Sequence, residues 1–539
     1  MLLPDMLRGR ADADPDRCAY VFVNENGDET ARLTYGELHT RALAVAARLA
    51  RDCAPGDRAL LVFPQCLDFI VAYFGCLYAQ VTAVPVNPPR RNRVQHATRH
   101  IIADCEPSAV LTISAMRSTI DGLVRIDVDL LPGTQFEPRP LTPDSLAFLQ
   151  YTSGSTAAPK GVMVSHGNLA ANQEMISRGF GHDEHSTVVG WAPFFHDQGL
   201  IGNVLQPLYA GASAILMSPA TFIRRPLRWL DLISRYRAHT SGGPNFAFDA
   251  CVAHAARGKR LDLDLSCWRV AFNGAEPIRP DTLRRFTETF APFGFREEAF
   301  YPCYGLAEAT LIVTGSRKGR GPRTSTVDPE ALGHGRLVPG GKELAGSGTV
   351  LPGEDVRIVD PETRRPCGPR EVGEIWVAGA NIAQGYWKRP DDETFVADAT
   401  GRTFLRTGDL GVFDGDELYV VGRLKDLVII RGRNHYPQDI EQTTEAAHPA
   451  LRPGACAAFT VPDKENVVVI AEIHRERRHE LEYAEVTGAI RAAVLAEHEL
   501  SLGDVVLARH GELPKTSSGK IMRAAARNRY LAGELRRSV

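Results

Sequence analysis

Short, mostly apolar runs alternate with segments of helical periodicity over residues 1–422. The apolar runs predict buried strands at 60–63, 109–113, 146–151, 187–191, 214–217 and 268–272. The helical pattern is clearest at 226–237, where Pro226 lies in the first turn and apolar residues recur along one face. Strands that alternate with helices are typical of layered α/β domains with mostly parallel sheets. The pattern therefore predicts a large N-terminal α/β domain.

The pattern changes twice towards the C-terminus. Residues 315–353 are rich in glycine, arginine, proline and serine and lack apolar periodicity, which predicts a long loop or an inserted segment. Strand-like runs return at 374–378 and 417–421. Beyond residue 423, a strand at 467–473 and an amphipathic helix at 485–498 indicate a small α+β domain. We therefore predict two domains, 1–422 and 423–539.

One uncharged run, residues 198–223, is long enough to compare with a membrane span. Pro207, Pro219 and several glycines and amides interrupt it, so a buried helix–turn–strand is the better interpretation. The first ten residues lack the apolar centre of a signal peptide. We therefore expect no membrane span.

Length, charge and cysteine content narrow the class of protein. A chain of 539 residues with 44% hydrophobic and 24% charged residues is typical of a folded, soluble, multidomain protein. The net charge of −3 gives no overall case for nucleic-acid or membrane binding. Its ten cysteines form no C-x-x-C pair, which argues against a zinc site or a disulfide framework and favours the reducing cytoplasm.

Residues 151–161 form a loop rich in glycine and hydroxyl groups that follows a predicted strand. Glycine lets backbone N–H groups crowd around an anion, hydroxyl groups add donors, and lysine adds positive charge. The loop is therefore a candidate phosphate-binding loop, with these candidate contacts: Thr152, Ser153, Gly154, Ser155, Thr156 and Lys160. It is not a Walker loop, because Pro159 takes the place of the second glycine. A Ser/Gly turn without a ligand is the alternative.

Residues 304–308 are a candidate metal-binding segment that begins with Tyr304 and Gly305. Glu308 offers a hard carboxylate oxygen suited to a Mg²⁺ ion that bridges phosphates. Thr152 is a second candidate neighbour of the metal. A glutamate at the surface or at a helix start is the alternative interpretation of Glu308.

Two further segments have groups suited to a nucleoside. Residues 273–276, which are Asn273, Gly274, Ala275 and Glu276, follow a predicted strand, and their glycine permits close approach to a flat base. Asp409 offers a carboxylate that can accept the protons of both ribose hydroxyls. A plain turn at the end of a strand is the alternative for the first segment.

Residues 514–520 contain a glycine and two serines before Lys520. Such a segment is flexible, and lysine is a compact, mobile point charge that can bridge a carboxylate and a phosphate. A solvated surface lysine is the alternative for an isolated match.

In their order along the chain, these segments resemble the motifs of the adenylate-forming superfamily, whose members couple a carboxylic acid to AMP and pass the acyl group to an acceptor. Residues 195–202, 207–229 and 431–441 resemble the fatty acyl-AMP ligases most closely. The resemblance implies ATP and Mg²⁺ as cofactors and a mobile C-terminal domain. It also implies roles for Arg423 in nucleotide contact, for Lys425 as the hinge, and for Lys520, Glu308 and His196 in catalysis.

The resemblance also bears on the acid and the acceptor. Uncharged residues favour an alkyl chain, with Phe195, Ile201, Asn245 and Phe246 as candidate substrate contacts and His196 at the adenylate end. A packed histidine is the alternative for His196. Fatty acyl-AMP ligases carry an extra segment that hinders the use of coenzyme A, and residues 329–347 lie where it is expected.

We therefore expect an enzyme that forms fatty acyl-AMP and pyrophosphate from a fatty acid and ATP. It then loads the acyl group onto the phosphopantetheine thiol of an acyl carrier protein acting in trans. An acyl-CoA or aryl-CoA synthetase of the same fold is the first alternative. A catalytically silent nucleotide- or acyl-binding protein is the second.

Overall fold

The computed structural model describes residues 1–89, 95–116, 120, 122–152, 159–258, 261–398, 400–461, 466–477, 482–516 and 519–535. Its first part combines a helical start with the strands of a parallel sheet. The elements are α1 Leu3–Ala13, β1 Cys18–Val23, β2 Glu29–Thr34, α2 Tyr35–Asp52, β3 Arg58–Val62, α3 Asp68–Tyr78, β4 Thr82–Val86, α4 His96–Cys105, β5 Ala109–Thr112, β6 Val124–Asp127, β7 Leu146–Thr152 and β8 Lys160–Ser165.

The second part continues the alternation of strands and helices. Its elements are α5 His166–Phe180, β9 Val188–Gly190, a π-helix Gln198–Leu205, α6 Gln206–Ala210, β10 Ala214–Met217, α7 Pro219–Arg224, α8 Leu227–Arg235, β11 Thr240–Gly242, α9 Asn245–Ala255, β12 Val270–Asn273, α10 Pro280–Phe290 and β13 Phe300–Tyr304. The uncharged run at 198–223 is thus a buried helix–turn–strand as predicted. No helix among the described residues is long and apolar enough to cross a bilayer.

The third part is built mainly from strands, which turns and irregular segments connect. Its elements are β14 Thr314–Gly315, β15 Thr324–Val327, α11 Pro329–Gly333, β16 Lys342–Ala345, β17 Thr349–Val350, β18 Asp355–Val359, β19 Gly373–Ala378, β20 Phe395–Ala397, β21 Thr403–Asp414 and β22 Glu417–Arg423. Residues 315–353 are therefore not a long irregular loop. Val327, Leu332 and Leu337 pack there against Val412 and Val421 of the neighbouring strands.

The last part is the small α+β domain expected from the sequence. Its elements are β23 Val428–Ile430, β24 Arg433–His435, α12 Pro437–Ala446, β25 Leu451–Thr460, β26 Val467–Ile473, α13 Tyr483–His498, β27 Leu502–Ala508 and α14 Arg523–Leu531. The strands pair in the order β25–β26–β27, and a separate apolar core lies beneath them. A single 3₁₀ turn, Leu424–Asp426, joins this domain to β22.

Two sheets organise the larger domain. One follows the order β6–β5–β3–β4–β7–β8 and is parallel except for the β7–β8 hairpin. The other follows the order β18–β19–β21–β22–β17–β14–β13–β12–β11–β9–β10–β1–β2. Its β9–β13 region is parallel, but its β14–β22 region is antiparallel, and turns and irregular segments rather than crossover helices connect those strands. Helix α3 is buried along 69–78 within the largest apolar core.

Candidate active site

A cleft of about 1730 Å³ lies at the carboxyl ends of the parallel strands and is covered by the C-terminal domain. Thr152, Asn273 and Tyr304 end β7, β12 and β13 there, and Asn245 begins the helix after β11. Ligands of open α/β sheets bind beyond the carboxyl ends of strands, where loops leave space. Residues from both domains line this cleft, so a ligand in it would contact both.

Asp409 is held between two donors in the cleft. The Tyr304 hydroxyl donates to its Oδ2 at 2.9 Å, and Arg423 Nε donates to its Oδ1 at 2.8 Å. Asp409 and Arg423 are directly opposite each other in the antiparallel β21–β22 pair, which fixes the ion pair. Asp409 is the chief reason that the pKa of Arg423 is raised. Each carboxylate oxygen keeps a second lone pair that could accept a ribose hydroxyl.

The turn at 273–276 is strained and closely packed. Ala275 has φ of +69°, a conformation that residues with a side chain rarely adopt and that occurs often at functional sites. A Cβ atom at Gly274 would lie 2.6 Å from the carbonyl oxygen of Cys303, so only glycine fits. Glu276 Oε1 accepts a hydrogen bond from the backbone N–H of Asn245 at 2.8 Å. Asn273 is completely buried, and Nδ2 donates to the carbonyl of Gly243 at 3.3 Å.

Glu308 and Lys160 are joined through Tyr386, and Lys160 also binds Asp392; the sequence indicated neither residue. Tyr386 donates its hydroxyl to Glu308 Oε1 at 2.7 Å, and the Lys160 ammonium lies 4.6 Å from the centre of the Tyr386 ring. Lys160 Nζ also donates to Asp392 Oδ2 at 2.6 Å. Burial raises the pKa of Asp392, but its hydrogen bonds, including that from Lys160, outweigh this and the pKa is lowered.

The candidate phosphate loop connects two hydrogen-bonded neighbours. Thr152 and Lys160 are directly opposite in the β7–β8 hairpin, and both line the cleft. The four candidate contacts between them lie outside the described residues: Ser153, Gly154, Ser155 and Thr156. Gly305 also lines the cleft, and a Cβ atom there would overlap the carbonyl oxygen of Leu311 at 1.8 Å.

Lys520 reaches the cleft from the C-terminal domain. Its loop is closed by hydrogen bonds between Thr516 and Lys520, and Gly519 lies against the Phe246 ring of the larger domain. Surrounding protein lowers the pKa of Lys520, an effect that nearby Asp197 opposes. His196 lies close to the same two charges, and burial lowers its pKa.

Lys425 belongs to the 3₁₀ turn between the domains and lines the cleft. The pKa of Lys425 is lowered, chiefly by burial and then by the neighbouring Arg423. The carboxylates of Asp426, Asp409 and Glu308 oppose this shift. Lys425 therefore lies at the boundary between the two domains and also within electrostatic reach of Glu308, the candidate metal ligand.

The candidate substrate contacts separate into two groups. Asn245 and Phe246 line the cleft, and the Phe246 ring packs edge-on against Trp191 at 5.9 Å. Ile201 lies instead in the main apolar core, where its side chain is completely buried. Phe195 does not line the cleft, and its carbonyl accepts a hydrogen bond from Gln150. Ile201 belongs to the π-helix Gln198–Leu205, and Phe195 precedes it.

Residues 329–347 contact the C-terminal domain directly. Lys342 in β16 forms an ion pair with Asp439 of α12, and the Tyr436 hydroxyl donates to the carbonyl of Leu332 at 3.4 Å. These contacts help to fix the position of the C-terminal domain relative to residues 329–347.

Tyr386 and Asp392 are the cleft residues that sequence reasoning missed. They follow the strand β19 in an irregular stretch with no recognisable motif, and they reach Lys160 and Glu308 only through folding. Their one local signal is the aromatic pair at 386–387 beside Lys388, and such a pair by itself indicates no particular chemistry.

Comparison with known proteins gives the same assignment along the whole chain. Residues 7–387 match the family described as AMP-binding enzyme, and residues 425–538 match the AMP domain of Disco-interacting protein 2-like proteins. The chain is 43% identical to the medium-chain-fatty-acid–[acyl-carrier-protein] ligase JamA of Moorena producens (strain JHB), over 99% of this chain and 95% of that protein.

Two further relatives agree. The long-chain-fatty-acid–AMP ligase FadD32 of Mycolicibacterium smegmatis is 38% identical, over 97% of this chain and 93% of its own. The crystal structure of fatty acyl-adenylate ligase from L. pneumophila in complex with acyl adenylate and pyrophosphate superposes with a TM-score of 0.77 and 39% identity. It covers 98% of this chain and 96% of that one. The chain therefore belongs to the AMP-binding enzymes and, within them, to the fatty acyl-AMP ligases.

Proposed function

We propose that this protein activates a fatty acid with ATP and transfers the acyl group to a carrier protein. In the first step, a carboxylate oxygen of the acid attacks the α-phosphorus of ATP. The bond from that phosphorus to the oxygen bridging to the β-phosphate breaks, and pyrophosphate leaves. In the second step, the phosphopantetheine thiol attacks the acyl carbonyl, a thioester forms, and AMP and the thiol proton are released.

The observation that carries this proposal is the position of Lys520 in one cleft with the Asp409–Arg423 pair. The reacting carboxylate and the α-phosphate are both anions, so their approach requires a cation between them. Lys520 lies within electrostatic reach of Arg423 and Asp409, and its loop is seated against Phe246. A carboxylate at the mouth of the apolar part of the cleft would thus meet Lys520 beside the nucleotide.

The other residues of the site position the nucleotide. Asp409 would accept the ribose hydroxyls, and the strained turn at Ala275 would lie against the adenine ring. Lys160 would exchange its contact with Asp392 for the departing pyrophosphate. Each of these groups is held by the protein before the ligand arrives, which reduces the reorganisation required for reaction.

Mg²⁺ fits the donor set present. Among the described residues, no group of three or more His, Cys, Asp and Glu side chains could hold a metal ion alone. Mg²⁺ is commonly held by one or two carboxylates together with substrate phosphates, and Glu308 supplies such a carboxylate in the cleft. Thr152 would be its neighbour. When bound, the ion would neutralise charge on the phosphates.

Product mass spectrometry tests both steps. The protein is incubated with Mg²⁺-ATP and a panel of fatty acids in three reactions that contain no acceptor, free coenzyme A, or a phosphopantetheinylated carrier protein. We expect acyl-AMP in the first reaction, acyl-carrier in the third and little acyl-CoA in the second. Abundant acyl-CoA would identify a coenzyme A synthetase instead, and the absence of acyl-AMP with every acid would refute the first step.

A further inference from the structure

One segment, residues 383–394, connects the candidate metal ligand to the strand that carries the lysine of the phosphate loop, and we call it the strap. At its start, the backbone N–H of Ala383 donates to the carbonyl of Glu308 at 2.9 Å. Further along, the backbone N–H of Trp387 donates to the carbonyl of Gly161 in β8 at 2.8 Å. The backbone of the strap is therefore fastened both to the metal candidate and to β8.

The far end of the strap is fixed as well. The carbonyl of Thr394 accepts a hydrogen bond from the backbone N–H of Arg406 in β21 at 2.7 Å, and β20 begins at the next residue and pairs with β21. The backbone N–H of Thr394 donates to Asp392 Oδ1 at 3.0 Å. These bonds hold the Asp392 carboxylate in place and leave its other oxygen, Oδ2, available to a second partner.

That partner is Lys160. Its Nζ atom donates to Asp392 Oδ2 at 2.6 Å, and Asp392 is the one carboxylate in ion-pair contact with it in the part of the chain that the structure describes. Burial opposes ionisation of Asp392, but its hydrogen bonds outweigh this and lower its pKa, so it is charged near pH 7. The side chains are 34% and 16% exposed, so the contact lies at the wall of the cleft rather than inside the protein.

The ammonium group of Lys160 is thus occupied before a phosphate arrives. Lysine has a long, flexible stem, so Lys160 can turn from Asp392 towards a ligand, whereas Asp392 is held by the strap and does not follow. Only molecules in which Lys160 has left Asp392 bind a phosphate at full strength, and the measured affinity is reduced by that fraction. Asp392 therefore weakens the binding of pyrophosphate by way of the lysine.

We propose that Asp392 is a positioning residue that competes with pyrophosphate for Lys160 and thereby speeds the release of this product. ATP draws Lys160 away from Asp392 when its terminal phosphates bind. Once the bond to the α-phosphorus has broken, Lys160 returns to Asp392 and pyrophosphate leaves. This inference rests on the proposed function, since it requires Lys160 to contact the leaving pyrophosphate.

Binding of pyrophosphate to the whole protein tests the inference. Its affinity is measured by calorimetric titration in Mg²⁺ buffer, and its inhibition constant against ATP is measured in acyl-AMP formation. Asp392→Asn keeps the acceptor for the Thr394 N–H but removes the charge. We expect this variant to bind pyrophosphate about fivefold more tightly than the wild type, the effect of one partly exposed ion pair. Release of pyrophosphate, followed by rapid mixing, should slow by a similar factor.

Two controls separate competition for the lysine from other effects. Asp391→Asn makes the same substitution one residue earlier, at an exposed side chain that does not line the cleft, and should bind pyrophosphate as the wild type does. In a Lys160→Met background there is no ammonium group to release, so adding Asp392→Asn should change the affinity by less than about twofold. Thermal unfolding of each variant confirms that it is folded. Asp392→Ser also lacks the charge and replaces Asp392→Asn if that variant does not fold.

The outcomes distinguish this inference from the proposed function. If Asp392→Asn binds pyrophosphate no more tightly than the wild type, the inference is wrong, and acyl-AMP formation by the wild type leaves the proposed function standing. An equal gain in affinity in the Lys160→Met background would overturn the inference as well, because Asp392 would then act by its charge alone. If the wild type forms acyl-AMP with no acid, the proposed function fails and this inference fails with it.

Discussion

Arg523 donates two parallel hydrogen bonds to Glu441, from Nε to Oε1 and from Nη2 to Oε2, each 2.7 Å long. Its remaining nitrogen, Nη1, lies 3.1 Å from Asp426 Oδ2 beside the interdomain turn. Arg523 begins α14, directly after the loop that carries Lys520. One guanidinium therefore joins that loop to α12 and to the turn between the domains.

Replacing Arg523 should disturb catalysis through the position of Lys520. Arg523→Met leaves the buried Glu441 carboxylate without its cation, which costs about 3–5 kcal/mol in the stability of the C-terminal domain. We expect kcat for acyl-AMP formation to fall by about tenfold or more while KM for ATP changes little. Arg523→Lys keeps the charge but loses the two parallel hydrogen bonds, so its kcat should lie between those of the wild type and Arg523→Met. Unchanged kcat in Arg523→Met would remove this positioning role.

Lys520→Ala should abolish acyl-AMP formation and leave ATP binding largely intact, because the lysine acts on the reacting anions rather than on the nucleoside. Rapid-quench measurement of acyl-AMP and calorimetric titration with ATP check the two parts separately. Unchanged adenylation in this variant would contradict the mechanism.

The pH profile of adenylation should report the charge of Lys520. Its pKa is lowered because burial disfavours the ammonium form, so the cation is lost at a lower pH than for a free lysine. The rate should therefore decline on the alkaline side below the usual lysine range. Lys520→Arg stays charged and should move that decline to higher pH at a reduced overall rate. An alkaline limb that is identical in both proteins would assign it to another group.

The ion pair between Lys342 and Asp439 should influence the choice of acceptor. It ties residues 329–347 to α12, and both side chains are mostly buried. Lys342→Ala removes a contact that contributes about 1 kcal/mol, and we expect the share of acyl-CoA among the products to rise about fivefold. Acyl-AMP formation should stay within about twofold. The exchanged pair, Lys342→Asp with Asp439→Lys, should restore the original product ratio, as measured by mass spectrometry.

Glu354 should make the larger domain less stable at alkaline pH. Burial raises the pKa of this carboxyl to about 8, although the nearby Asn381 amide and Arg402 guanidinium oppose the shift. The folded pKa is above the unfolded value, so its stabilising contribution is complete below the unfolded pKa and is lost as pH rises through about 8. Glu354→Gln should raise the free energy of unfolding on the order of 2 kcal/mol at pH above about 8. Equal denaturation midpoints for both proteins there would contradict this.

Buried strands were predicted well because their pattern is local. The apolar runs at Ala214–Met217 and Val467–Ile473 coincide with β10 and β26, which are buried along their whole length. Residues 315–353 were predicted poorly for the opposite reason. Their elements are only two to five residues long, and the apolar partners of Val327 and Leu332 lie in distant strands.

The candidate site shows the same division. Asp409, Arg423 and Lys520 are predictable because each lies in a segment whose residue types and order match a family pattern. Ile201 was placed in the substrate pocket by its apolar character alone, yet it packs into the core.

The sequence by itself determined the family, the order of the motifs and the chemical groups available for nucleotide binding, because these depend on residue type and spacing. Only the tertiary structure decided that Tyr386 lies between Glu308 and Lys160, and that Asp392 forms an ion pair with Lys160. Those contacts link residues that are far apart in the chain. They arise when sheets and helices pack, and packing satisfies some hydrogen-bonding groups and leaves others unpaired.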